Sequence, residues 1–130
     1  MKRCMIVDDS DVIRKVAKRI LESQDMLVVE AKSGREALDL CAHDVPDIIL
    51  VDAKLVDIPA VDLVRMANAN DKKPQIIICL TRFDIGTIMR AKRAGAQGYL
   101  LKPFNRAKLL QCLRQSFGAR RSDASELTPA

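Results

Sequence analysis

Aromatic side chains make up only 3% of this 130-residue chain: one tyrosine, three phenylalanines and no tryptophan. That scarcity speaks against single-stranded nucleic acid read by base stacking, which needs rings interleaved with cations. One histidine and four cysteines without CxxC spacing speak against a zinc site or a disulfide framework. Cys4, Cys41, Cys79 and Cys112 lie in apolar surroundings and read as reduced, small core residues. His43 falls at a predicted helix end and reads as a surface residue. No apolar run approaches the roughly 20 residues of a membrane-spanning helix. The opening MKRCMIVDD turns acidic too early for a signal peptide. Together these absences lead us to expect a cytoplasmic protein.

What is present is aliphatic and charged, 48% apolar and 30% Asp, Glu, Lys and Arg, enough for one domain with a real core. The net charge of +5 hides a segregation. Residues 82–121 carry ten Lys/Arg and one acid, whereas the remainder carries twelve Lys/Arg and sixteen acids. Such a basic segment is either a solvated surface or a docking face for something anionic.

Short apolar runs alternate with helical stripes. CMIV (4–7), LVVEA (27–31), DIILVD (47–52), QIIICLT (75–81) and GYLL (98–101) read as strands. After the first comes a stripe of Ile13, Val16, Ala17, Ile20 and Leu21, with Ser10 or Asp11 as cap. The second helix opens on the capping box Ser33–Glu36 and faces inward with Ala37, Leu38 and Cys41. The third covers 59–70. The fourth covers 84–96, with Ile85, Ile88 and Met89 inward and Gly95 as its stop. The fifth covers 105–117, capped by Asn105, with Leu109, Leu110, Leu113 and Phe117 inward. Residues 119–130 lack apolar periodicity and are expected to form a disordered tail behind a domain spanning 1–118. Five strand–helix repeats imply an α/β fold, a five-stranded parallel sheet with helices on both faces.

Sites in such open sheets form beyond the carboxyl ends of the strands. Asp8 and Asp9 follow the first strand, Asp52 ends the third, Thr81 ends the fourth, and Lys102 with Pro103 follows the fifth. Taken singly, each is an ordinary cap, turn or loop residue. Their recurrence on one edge has no basis in core packing. Carboxylates clustered without His or Cys select a hard cation such as Mg²⁺, which takes one or two carboxylates plus phosphate oxygens. A cation on Asp8 and Asp9 leaves Asp52 as a nucleophile toward phosphorus, with Thr81 and Lys102 to contact phosphoryl oxygens.

The stretches IVDDS (6–10), DIILVD (47–52), IIICLT (76–81) and AGAQGYLLKPF (94–104) resemble the receiver domain of two-component response regulators, in particular the single-domain chemotaxis type. The resemblance covers residues 2 to 117 and implies a flavodoxin-like (βα)5 fold with strand order 2-1-3-4-5. It implies that Asp52 is the phosphoacceptor. It further implies that Asp8, Asp9 and Asp52 hold Mg²⁺ with the backbone carbonyl of Lys54, that Thr81 and Tyr99 form the switch, that Lys102 pairs with the phosphoryl group, and that the Lys102–Pro103 bond is cis. The output face would be the fourth helix, fifth strand and fifth helix, where Arg90, Arg93, Arg106 and Lys108 sit. The chain departs from the family pattern at Val56 and Ala60 in the loop after Asp52, and at Arg82, where a small residue is usual. Lys54 and Phe83 occupy positions that border the path of attacking water in the family.

A stand-alone receiver would take its phosphoryl group from a histidine kinase or phosphotransfer protein and signal to a protein target. No helix-turn-helix follows residue 117, so direct DNA binding is not expected. The alternative is a binding module whose Arg/Lys-rich face takes an anionic partner or nucleotide messenger whatever the state of Asp52. A phosphatase of the aspartyl-phosphate class is disfavoured, because Lys54 stands where a second carboxylate is needed. The chain is thus read as a signalling domain rather than an enzyme.

Overall fold

The structure is a computed structural model, and it describes residues 1–115. In chain order the elements are β1 (Arg3–Val7), α1 (Asp11–Glu22), β2 (Leu27–Ala31), α2 (Gly34–His43), β3 (Ile48–Asp52), α3 (Ala60–Asn68), β4 (Gln75–Leu80), α4 (Ile85–Ala94) and β5 (Gly98–Leu101). A fifth helix, α5, runs over 106–115. The strands form one parallel sheet in the order β2-β1-β3-β4-β5. Phe117 and the expected tail at 119–130 lie outside the described residues.

The two-residue period of each strand divides its side chains between two cores. Met5, Val7, Ile49, Val51, Ile76 and Ile78 meet α2, α3 and α4 through Ala37, Cys41, Leu63, Val64, Ala67 and Ala91. Cys4, Ile6, Ile48, Leu50, Ile77 and Cys79 face the other way, onto Ala17, Ile20 and Leu21 of α1 and Leu109, Cys112 and Leu113 of α5. All four cysteines are buried and none forms a disulfide. Burial pushes the Cys4 and Cys79 thiols far above the thiolate range.

The cap residues act as their chemistry requires. Ser10, Ser33 and Asn105 accept from the amides of Ile13, Glu36 and Lys108. Gly95 ends α4 at φ 127°, where a Cβ would lie 2.4 Å from the Asn68 side chain, so only glycine fits. The α2 N-terminus has a second cap that no local signal announces. Asp57, in the β3–α3 loop, accepts from Gly34 N at 3.0 Å and Arg35 N at 2.9 Å. Those amides hold its carboxyl below the usual carboxylate range. A depressed folded-state pKa contributes stability above the unfolded value and loses it as pH falls through the folded one. Asp57→Ala should therefore lower the urea midpoint above about pH 4, with the two proteins converging under stronger acid. A gap that persists unchanged at low pH would mean that the cap is not acting as an ion.

Three inward assignments need correction. In α4, Ile85 is 59% and Met89 39% exposed, whereas Ile88 packs against the core as expected. The helix instead lays its alanines, Ala91 and Ala94, against its neighbours, because small side chains allow close approach. In α1, Val16 is exposed, while Arg14 is turned inward and 3% exposed. Strand β4 stops at Leu80, so Thr81 opens the following turn rather than ending the strand.

Candidate functional site

The parallel register brings Val7, Val51 and Leu80 to one edge, and the residues just beyond them build the site. Backbone hydrogen bonds fix its floor: Asp8 N donates to Ala31 O at 3.1 Å, Ala53 N to Cys79 O at 2.8 Å, and Lys102 N to Leu80 O at 2.7 Å. Asp8 and Asp52 are buried and Asp9 is exposed. The ammonium of Lys102 reaches between two strands, donating to Asp8 Oδ2 and Asp52 Oδ1 at 3.0 Å each. The other Asp8 oxygen accepts from Ser10 N at 2.9 Å, and Asp52 Oδ1 also accepts from Lys54 N at 3.1 Å. Burial lowers the Lys102 pKa, yet its bonds to both carboxylates outweigh this, so the net shift is upward and the amine is charged. The Lys102–Pro103 peptide is cis.

One oxygen each from Asp8, Asp9 and Asp52 can be chosen so that all lie within 4.8 Å of one another. Three carboxylates facing one ammonium leave two negative charges uncompensated, the deficit a divalent ion offsets. The donor set is all oxygen, which suits Mg²⁺ and not zinc or copper. The acids and Lys102 line an open cleft of about 450 Å³, together with Ser10, Ile13, Lys54, Thr81 and Pro103. Thr81 is exposed there.

Arg14 is the residue that periodicity did not single out. Its guanidinium donates to the Asp8 carbonyl, to Asp11 and, at 3.1 Å, to Glu30 Oε1, so it holds the acid-bearing turn from beneath. The available signal was its spacing: positions 14, 17 and 21 share the buried stripe of α1.

The switch and output candidates lie on α4, β5 and α5 and in the turn after β4. Tyr99 is exposed, its ring 5.8 Å from that of Phe83 in a T-shaped contact at 71°. Below it, Ile88, Met89, Tyr99 and Leu101 line a groove of about 710 Å³ with Lys92 and Lys108 at its rim. The other output candidates do not converge there. Arg106 donates to Ser23 Oγ at the end of α1 at 2.7 Å, and Arg90 donates to Thr87 Oγ1 at 3.3 Å. Arg93 is exposed on α4 and does not line the groove. Among the described residues the basic segment is thus split between two sides.

Residues 4–114 match the family described as the response regulator receiver domain. The chain is 28% identical over 117 residues to the chemotaxis protein CheY of Listeria monocytogenes, covering 89% of this chain and 98% of that protein. It is 26% identical over 119 residues to the polar-differentiation response regulator DivK of Brucella anthropi, covering 90% and 97%. Among solved structures, the chemotaxis response regulator CheY4 of Vibrio cholerae matches with a TM-score of 0.84 at 28% identity, over 89% of this chain and 98% of that one. Among the described residues no helix is long and apolar enough to cross a membrane.

Proposed function

The chain belongs to the response regulator receiver domain family, and on that premise we propose that Asp52 accepts a phosphoryl group in a Mg²⁺-dependent transfer from a histidine kinase or phosphotransfer protein. The observation that carries this reading is the Lys102 ammonium bridging Asp8 and Asp52 at 3.0 Å with Asp9 beside them, which leaves two negative charges over. Asp8, Asp9, Asp52 and the Lys54 carbonyl would hold the ion. When bound, Mg²⁺ supplies the positive charge that lets a carboxylate approach an anionic phosphoryl group.

The chain's own groups then have defined tasks. Asp52 directs an oxygen at phosphorus, from a position set by the Lys54 amide. Lys102 exchanges a carboxylate for a phosphoryl oxygen without leaving the site. The Thr81 hydroxyl, exposed in the same cleft, donates to a further oxygen. Phosphorylation adds about −1.5 to −2 charges. Drawing Thr81 toward Asp52 would free space at the Tyr99–Phe83 pair, so the ring could leave its outward position. The groove under Tyr99 then changes shape, and a protein target reads it. On this reading the domain relays a signal by protein contact and works in the cytoplasm.

The test is incubation with an acyl phosphate and Mg²⁺, followed by intact mass measurement. One phosphoryl adduct is expected, and excess EDTA should abolish it. A native protein that stays unmodified with Mg²⁺ present would overturn the assignment.

A further inference from the structure

A second, smaller cleft of about 160 Å³ adjoins the first. It shares Asp52, Lys54 and Thr81 with it, but Arg82, Asp84 and Thr87 replace Asp8, Asp9 and Lys102 in its wall. The charges here are unequally committed. Asp84 is spent on the α4 cap, accepting from Gly86 N and Thr87 N at 3.0 and 3.4 Å and from Thr87 Oγ1 at 3.0 Å. Asp52 is spent on Lys102 and the Lys54 amide. The side chains of Lys54 and Arg82 are exposed and form no ion pair or hydrogen bond with any described residue. Both carboxylates are thus fixed in place by hydrogen-bond donors, whereas the two cations are left to turn toward an anion beside the carboxylate that meets the phosphoryl group.

We propose that Lys54 and Arg82 form an anion subsite for the leaving group of a small acyl phosphate, so that the protein favours donors whose leaving group is a carboxylate. This rests on Asp52 being the acceptor. An oxygen of Asp52 forms a bond to phosphorus while the bond from phosphorus to the acyl oxygen breaks. The electron pair of that bond leaves on the carboxylate, no proton is needed, and nothing is oxidised or reduced. Negative charge thus grows on the leaving oxygen beside two cations that have no partner among the described residues. The guanidinium of Arg82 matches a carboxylate as a two-pronged donor, and Lys54 adds a point charge. Phosphoramidate provides the contrast: its nitrogen, already protonated in the donor, takes the electron pair of the P–N bond and departs as neutral ammonia, so the two cations have no growing negative charge to stabilise.

The experiment measures initial rates of adduct formation by intact mass, with acetyl phosphate and with phosphoramidate, at saturating Mg²⁺. Arg82→Ala should lower the ratio of acetyl phosphate rate to phosphoramidate rate about fivefold, the size of one charge–charge contact in a wet site. Arg82→Ala combined with Lys54→Ala should lower it further, and Arg82→Lys should retain part of the preference. Near 1 M salt, where the screening length is about 3 Å, the native and variant ratios should approach one another. A ratio unchanged in the double variant, or a parallel loss with both donors, overturns the subsite alone. A native protein that forms no adduct with either donor overturns the acceptor assignment and the subsite with it.

Discussion

Asp52→Asn protein given an acyl phosphate and Mg²⁺ should form no phosphoryl adduct, under conditions in which the native chain is modified. The substitution keeps size and shape. It also keeps an oxygen to accept from Lys54 N, now at 3.1 Å, and from Lys102 Nζ, now at 3.0 Å. The fold should therefore survive, and an unchanged urea midpoint or circular dichroism spectrum would show it. What disappears is the carboxylate: a neutral amide oxygen is a far poorer nucleophile toward phosphorus. The neighbouring acids are badly placed to substitute. Asp8 spends one oxygen on Ser10 N and the other on Lys102. Asp9 stands exposed at the rim. An adduct forming on Asp52→Asn at the native rate would place the acceptor elsewhere and remove the basis of the functional reading.

Replacing Lys102 by methionine should produce the largest change in stability, and one that depends on the metal. Lys102 is nearly buried between two nearly buried carboxylates, its side chain 8% exposed beside 3% and 8% for Asp8 and Asp52. Removing one partner of a buried ion pair typically costs about 3–5 kcal/mol, because the remaining charges lose both water and compensation. Here two carboxylates would face each other with no cation between them. In EDTA the unfolding free energy of Lys102→Met should fall by an amount of that order. Mg²⁺ at a hundredfold its dissociation constant stabilises by about 2.7 kcal/mol through mass action, so much of the deficit should return. The readout is a pair of urea titrations, each with and without Mg²⁺. A variant as stable as the native chain in EDTA would show that the ammonium does not neutralise the cluster.

The amino-acid sequence by itself determined the architecture and the membership of the acidic edge. Short apolar runs stop at acids or at a hydroxyl, and helical stripes of regular spacing separate them. Parallel strands must then deliver Asp8, Asp52, Thr81 and Lys102 to the same side of the sheet. Local chemistry also determined the caps at Ser10, Ser33 and Asn105, since a cap needs only the first turn of its own helix. Tertiary structure alone decided which face of α4 lies inward, because Ala91 and Ala94 are weaker hydrophobes than Ile85 and Met89 and prevail only through close helix packing. It alone decided that Arg14 lies beneath Asp8, that Asp57 caps a helix 23 residues earlier, and that Arg106 turns to Ser23 across 83 residues rather than to the groove beside Tyr99. Periodicity reports how a segment sits about its own axis. Where a charged side chain finds its partner depends on which distant backbone atoms the folded sheet brings within reach.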